Sequence, residues 1–387
     1  MTGSWLSSDN IGDHAVYDAV SSSLCRFVGA DIRYVTSNPR KVRELYGVEA
    51  YAPRRSPFSI LRLIIGADML MFPGNVPFYD EKSHMFYFAA LVAVARLWGT
   101  AVVVFSIGLR EFSSRAGTAA LRFICRNAAF LGGREEETLE RLRYYSGGKV
   151  LAGLVPDPAT QLTPIDPPTA FELLEQEGVD ATSPSIAICL RSLRADKAFH
   201  AHYDKAYDAH TISNYVPGIA KLARYAIRKL DHNVVFLPMN THAPDDDRIV
   251  ARLVYDELSH DQAVRERVRL IERQFRPREM KGILGHFNAL VGVRYHALVL
   301  AASMRTPIIA VAYAPKHYSI MRFIGIEDCC TNIENTSSDV LCERLDHVLT
   351  KRDLLVEGLA QRLGEINELY ERRMRQILDI VAANRRK

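Results

Sequence analysis

"LVGVRYHALVLAASMRTPIIAVAYAPK", Leu290 to Lys316, is the stretch in which the periodicity of the chain settles its class. Residues 289 to 293 are apolar without alternation, as in a strand covered on both faces. Ala297 to Ala302 continues as small and branched apolar residues suited to a buried helix, which Thr306 and Pro307 end. "PIIAVAY", 307 to 313, is a second apolar run without alternation. Strand, helix and strand in this order form a βαβ unit with parallel strands. Arg294 and His296 stand where the first strand gives way to the helix, and Lys316 follows the second strand.

Similar runs extend outward from this unit: "DMLMF" (68 to 72), "AVVVFSI" (101 to 107), "SIAICL" (185 to 190) and "NVVFLP" (233 to 238). Strands of this kind alternating with helical segments predict an α/β protein with parallel sheets. Between Pro156 and Pro168 five prolines resist both helix and central strand, and a domain boundary is expected there. The expected domains are 1–160, 170–335 and a helical segment, 336–387, packing on them. In the last of these, Leu355, Leu359, Leu363, Ile366 and Tyr370 recur at helical spacing, which predicts an amphipathic helix. Core packing is the commoner use of such a stripe, with a membrane-surface or partner-helix role as its alternative.

The composition is that of a globular enzyme-sized protein: 387 residues, 48% apolar and 24% charged. A net charge of +4 drawn from charges of both signs, without a basic block, argues against nucleic acid as a partner and for local cationic sites. Six cysteines without a C-x-x-C pair suggest reduced thiols, not a disulfide framework or a zinc site. The most apolar stretch, from Phe86 to Gly108, is broken by Arg96, Trp98, Gly99 and Thr100, so it predicts a buried helix and a strand, not a membrane span. Without a signal-peptide pattern the expected location is cytoplasmic, with peripheral contact to the inner face of a membrane left open.

In parallel α/β sheets ligands bind beyond the carboxyl ends of the strands. Those ends carry Arg191, then "MNTHAPDDD" after residue 238, then Arg294 and His296, then Lys316. If the strands are successive, one sheet edge gathers Arg191, Arg294, His296 and Lys316 beside a helix N-terminus, an anion site with a histidine able to carry a proton. Taken singly, each is as readily an ordinary solvated charge. The carboxylates Asp245 to Asp247 suggest a helix cap before a Mg²⁺ site.

The same segment resembles the R-[LY]-H-[AS]-L region of the polysaccharide pyruvyltransferase family, followed there by a small-residue helix, a "P-I-I-A-V-x-Y" strand and a lysine. Other stretches are similar in order: "SDNIGDHAVYDAV" (8 to 20), "ADMLMFPGN" (67 to 75), "VVVFSIGL" (102 to 109), "PDPATQL" (156 to 162), "IAICLRSLR" (186 to 194) and "FLPMNTHAPDDD" (236 to 247). The segment around Arg294 is specific, the others weak singly, and their collinearity from residue 8 to 316 carries the resemblance.

The resemblance implies two Rossmann-like domains of GT-B type and transfer of a pyruvyl group from phosphoenolpyruvate to two sugar hydroxyls as a ketal, with no cofactor beyond that donor. It places the donor's arginines on Arg191 and Arg294, its lysine on Lys316 and the essential histidine on His296. The acceptor would be a sugar or glycan, lipid-linked or not, facing the first domain. Asn10 and Asp13 are candidates for its contacts, Asp13 equally for capping the following helix. Two departures bear on the acceptor. Only nine residues precede Asn10, so the family's first strand is very short here or the N-terminus lies upstream, and "FPGN" replaces a glycine triplet. The alternatives are a GT-B glycosyltransferase using a nucleotide sugar, for which Glu327 or Asp328 is a weak ribose-binding candidate, and a non-catalytic glycan-binding relative.

Overall fold

The computed structural model describes residues 10–74, 77–193, 209–243, 245–334 and 337–384. Asn75 and Arg194, quoted above, lie outside the described residues. The strands in chain order are β1 Tyr34–Val35, β2 Ala50–Tyr51, β3 Met69–Pro73, β4 Ala101–Ile107, β5 Phe130–Gly133 and β6 Ala152–Leu154. They continue with β7 Ser185–Cys189, β8 Asn233–Phe236, β9 Val268–Leu270, β10 Ala289–Gly292, β11 Ile308–Ala312 and β12 Cys330–Asn332. The helices of the first part are α1 Ile11–Val28, α2 Pro39–Tyr46, α3 Pro57–Gly66, α4 Lys82–Leu97, α5 Arg115–Asn127 and α6 Glu136–Ser146. Later helices are named by their residues.

Two compact units emerge, and they are interleaved in sequence. The first holds Asp13–Leu162 and the chain from Glu365 onward; the second holds Asp9–Gly12 and Thr163–Gly364. The linear division of the sequence did not anticipate the exchange of Asn10 to Gly12 into the second unit.

The first unit has a parallel sheet in the order β3-β4-β5-β6, with β1 and β2 paired separately. All seven residues of β4 are buried, which is why that run shows no alternation. Val102 and Val104 face a core shared with α3, α4 and α5, in which Phe72, Phe78 and Phe88 meet with ring centroids 5.3 to 5.7 Å apart. Phe105 points to the other face and meets Tyr370 edge-on at 5.8 Å. Tyr370 belongs to the tail helix Arg352–Asn384, whose stripe Leu359, Leu363, Ile366, Tyr370, Met374 and Ile377 is buried. Each such buried side chain contributes roughly 1.5–3 kcal/mol of apolar transfer.

The second unit has a parallel sheet of six strands in the order β12-β11-β10-β7-β8-β9. From β7 the chain builds outward through β8 and β9, and then returns to place β10 on the other side of β7 and build through β11 and β12. The β7/β10 boundary is therefore the topological switch point, where doubly wound sheets open a crevice at their carboxyl ends. Gly292 pairs with Cys189 in the register of these two strands, so Arg294 and Arg191 stand at the same level on adjoining strand ends.

Candidate functional site

Four of the residues singled out from the sequence converge at this edge. Arg191 follows β7, Arg294 and His296 follow β10, and Lys316 follows β11. Their surroundings separate them into two groups.

Arg294 is 6% exposed and engaged by two carboxylates. Its Nε donates to Asp247 Oδ1 and Oδ2 at 2.9 and 3.1 Å, one terminal nitrogen to Asp245 Oδ2 at 2.8 Å, and the other to the Asp245 carbonyl at 2.9 Å and to Asp247. Burial disfavours the charge, but the two carboxylates hold the guanidinium ionised well above its ordinary range. Burial pulls the Asp247 carboxyl up, to about 6, against Arg294 and the Asn240 N–H, which draw it down. With its charge matched in this way, Arg294 ties the loop after β8 to the end of β10. Of the three aspartates, Asp246 caps the helix Asp247–Leu258 by accepting from Arg248 N, while its neighbours face Arg294. Among the described residues no group of three His, Cys, Asp or Glu side chains is arranged to hold a metal ion.

Asp247 also orders the loop after β8. Its Oδ2 accepts from Met239 N at 3.0 Å and Asn240 N at 2.9 Å, and its own N–H donates to the Asn240 carbonyl at 2.8 Å. Onto this loop docks the N-terminal segment: Asn10 forms an antiparallel bridge with Asn240, and Ile11 N donates to Met239 O at 2.9 Å. Asn10 Oδ1 accepts from Gly12 N at 2.9 Å and so caps α1, whereas Asp13 is a buried residue of its first turn and belongs to the first unit. Asn10 thus caps the helix that Asp13 enters.

Gly12 lies directly against His296. A Cβ at position 12 would sit 2.1 Å from Nδ1 of the imidazole and 2.3 Å from its Cγ, so only glycine lets the ring occupy this place. Tyr295 meets the same ring edge-on at 5.1 Å.

The second group surrounds Tyr313. The Arg191 guanidinium lies 4.4 Å from the Tyr313 ring centroid and the Lys316 ammonium 5.1 Å, with Lys316 also 5.6 Å from the Tyr295 ring. Asp245 approaches Arg191 at 3.6 Å, but it already accepts from Arg294. The outcome is a positive potential: burial pushes the Tyr313 phenol up, yet Arg191, Lys316 and Arg294 outweigh it and bring the group down to about 8. His317 is fully buried, with one ring nitrogen 3.0 Å from the Val293 carbonyl and the other 3.1 Å from that of Ala314. Burial and Lys316 bring it down to about 3, so it stays neutral and donates its one N–H to one of these two carbonyls.

The polysaccharide pyruvyl transferase family model matches residues 10–315, more than half of the chain, with Arg191, Arg294 and His296 inside the match and Lys316 one residue beyond it. The chain belongs to that family. A curated relative, the amylovoran biosynthesis protein AmsJ of Erwinia amylovora, is 22% identical over 196 residues, 50% of this chain; the chain covers only 44% of that protein's length. Among solved structures the fold resembles UDP-GlcNAc 2-epimerase of Methanocaldococcus jannaschii, with a TM-score of 0.58 and 12% identity over 86% of this chain and 90% of that one. It also resembles Anabaena Alr3699/HepE, solved in complex with UDP-glucose (TM-score 0.56, 8% identity, 95% and 96% covered). A third is the ADP-heptose LPS heptosyltransferase II of E. coli (0.50, 12%, 91% and 98%). These likenesses identify a GT-B-like fold of two parallel-sheet units.

Within the family's motifs the structure gives Gly12 and Tyr313 a place that sequence reasoning did not assign, and gives Asn10, a candidate for acceptor contacts, a structural contact as well. The asparagine and glycine of the "N-x-G-D-x-A" turn order the loop beside His296, and the tyrosine of the "P-I-I-A-V-x-Y" strand stands between the cations. Asp245 and Asp247 carry no local signal, since their partner is 47 residues or more away. Glu327, the weak candidate for a ribose contact, instead pairs with Arg322 at 2.9 Å on the surface.

Proposed function

We propose that this chain transfers a pyruvyl group from phosphoenolpyruvate to two hydroxyls of a sugar in a polysaccharide or its precursor, releasing phosphate. The observation that carries the reading is the positive site around Tyr313, formed by Arg191 and Lys316 at the switch-point edge that also holds His296, in a member of this family. Phosphoenolpyruvate brings a carboxylate and a phosphate on one enol carbon, and both anions match a guanidinium and an ammonium held apart by a phenol ring. Arg294 serves by fixing the ends of β8 and β10.

The chemistry balances as follows. One sugar hydroxyl adds to the enol carbon and the methylene carbon gains a proton, which makes the methyl group. The C–O bond to phosphate then breaks, leaving an oxocarbenium centre. The second hydroxyl closes on that centre and loses its proton. His296 carries protons between these groups, and Arg191 and Lys316 stabilise the departing phosphate. The steps call for no cofactor besides the donor.

Incubation with phosphoenolpyruvate and candidate glycans, read by mass spectrometry and phosphate release, tests this. A pyruvyl ketal is expected on the acceptor, lost by about a hundredfold or more in His296→Ala. Calorimetry supplies the contrary result: tight binding of a nucleoside diphosphate with none of phosphoenolpyruvate overturns the reading in favour of a nucleotide-sugar glycosyltransferase.

A further inference from the structure

The longest apolar stretch of the sequence is not buried all round. In α4 the side facing the core holds Met85, Phe88, Leu91, Val92 and Ala95. The opposite side, at spacings of four, three and four, holds Phe86, Ala90, Ala93 and Leu97, with Phe86 55% and Leu97 76% exposed. Trp98, which follows, is 52% exposed.

The neighbours of α4 continue this surface. α3 packs on one side of α4 and α5 on the other, all three over the same core. Away from that core α3 presents Phe58, 79% exposed, with Arg62 and Ile65, and α5 presents Arg115, Ala119, Arg122 and Arg126. Exposed Arg54 and Arg55 lead into α3. Across the three helices there are six Lys and Arg residues and no Asp or Glu, although 45 of the 387 residues of the chain are acidic. The nearest acids in sequence, Asp68, Asp80, Glu81 and Glu111, are confined to the connecting segments, and Asp80 is taken up by Ser113 N and Ser114 N at 2.8 and 2.7 Å.

An outward face that combines large apolar side chains with cations only, on three neighbouring helices without acids of their own, is complementary to a surface that is negative outside and apolar beneath; the exposed Glu136, Glu137 and Glu140 lie beyond it, on α6. We propose that the α3–α4–α5 face of the first unit docks this protein on a bilayer rich in anionic lipid, with Phe58, Phe86, Leu97 and Trp98 entering the interface and the arginines pairing with headgroup phosphates. Insertion is shallow. Lys82 and Arg96 close α4 at both ends, and no described helix is long and apolar enough to cross a membrane. A second copy of the same face is a poor occupant, since it would set cations against cations. The amphipathic tail, the alternative membrane element in the sequence, buries its apolar stripe instead. The inference is independent of the donor chemistry, because binding to lipid needs no phosphoenolpyruvate.

Flotation of the full chain with vesicles tests it, one set of phosphatidylcholine alone and one with roughly a third phosphatidylglycerol. The protein is expected to float with the anionic vesicles only, less so as salt is raised. Each arginine near such a surface adds about fivefold to partitioning, so Arg115→Glu with Arg122→Glu and Arg126→Glu together should cost about a hundredfold or more. Phe86→Ser with Leu97→Ser should cost about tenfold or more. All five positions are exposed, and an unchanged thermal melt verifies folding. With Trp5 replaced by Phe, the emission of Trp98 should shift to the blue on anionic vesicles and stay fixed on neutral ones. Three results overturn the proposal: no preference for anionic vesicles; loss in the arginine variant with none in the Phe86 and Leu97 variant, which marks a general polyanion site; or a dimer split by Leu97→Glu in a protein that ignores vesicles.

Discussion

Both units place a buried arginine at the carboxyl edge of a parallel sheet, and the carboxylates around it differ. In the first unit Arg134, just after β5, donates to Asp157 at 3.0 Å and to Glu135 at 3.2 Å. Asp157 also accepts from Ala159 N at 2.9 Å and caps the turn Pro158–Gln161. In the second unit Arg294 is held by Asp245 and Asp247, and two further cations, Arg191 and Lys316, stand beside it around Tyr313. An arginine at a strand end is thus a scaffold wherever carboxylates match its charge. Where cations exceed them, as around Tyr313, the edge is left positive.

The largest effect should separate the two scaffolds. Arg294→Met leaves two buried carboxylates with Arg191, 3.6 Å from Asp245, as the remaining nearby cation, and should cost about 5 kcal/mol, near the top of the range for breaking a buried pair. Arg134→Met leaves Glu135 at 14% side-chain exposure, within reach of water, so about 3 kcal/mol is expected. Denaturant unfolding of both variants checks the order. Equal losses would show that the second carboxylate adds nothing.

A smaller effect, felt in turnover and not in stability, should follow from Gly12→Ala. The added methyl group would overlap His296, and the cheapest relief is a turn of the imidazole away from its place. A misplaced proton carrier should lower kcat about a hundredfold with the KM for phosphoenolpyruvate nearly unchanged. Ala119→Gly, on the exposed face of α5, is the control and should leave kcat intact. A Gly12→Ala variant with full kcat would show that the docked N-terminal segment does not position His296.

The strands β3, β4, β7, β8, β10 and β11 were legible because residues covered on both faces leave an unalternated run, and β4 coincides with the run at 101 to 107; the short, partly exposed β6, β9 and β12 leave no such run. The helical tail was legible from its stripe. Periodicity tells which side of an element is apolar but not whether it is covered, so α4 read as a buried helix although Phe86 and Leu97 are exposed. Of the site, the gathering of the cations at one edge was legible from the rule of strand ends, and the division between Arg294, paired with carboxylates, and the cations around Tyr313 was not. That division depends on Asp245 and Asp247, which approach Arg294 only after β8 and β10 have been placed on either side of β7. The contact of Gly12 with His296 spans the chain in the same way and leaves no local trace.

Lys316 should reverse the behaviour of Arg294. It is half-buried, and its neighbours at this ring are the cation Arg191 and two phenols, so Lys316→Met should change stability by no more than about 0.5 kcal/mol. Affinity for phosphoenolpyruvate should nevertheless fall about tenfold or more as one charge-assisted contact is lost. Calorimetry beside a thermal melt reads both. A large loss of stability with unchanged affinity would move Lys316 into the scaffold.

The smallest effect is a titration at Tyr313. Its ordinary value is 10, and the surrounding cations bring it to about 8 despite burial, so the phenol should ionise with a midpoint near pH 8 when followed by tyrosinate absorbance against Tyr313→Phe. Because the folded value lies below the unfolded one, this group adds stability as pH rises from about 8 towards 10, and adds none below 8. Binding has the opposite sign. A phenolate among Arg191 and Lys316 competes with an arriving anion, so affinity for phosphoenolpyruvate should decline as pH passes 8, and bound phosphoenolpyruvate should raise the midpoint. Lys316→Met should raise it too, by removing one of the cations that depress it. A midpoint left at 10, unmoved by the donor, would mean that the positive potential distinguishing this edge from that of Arg134 does not exist at Tyr313.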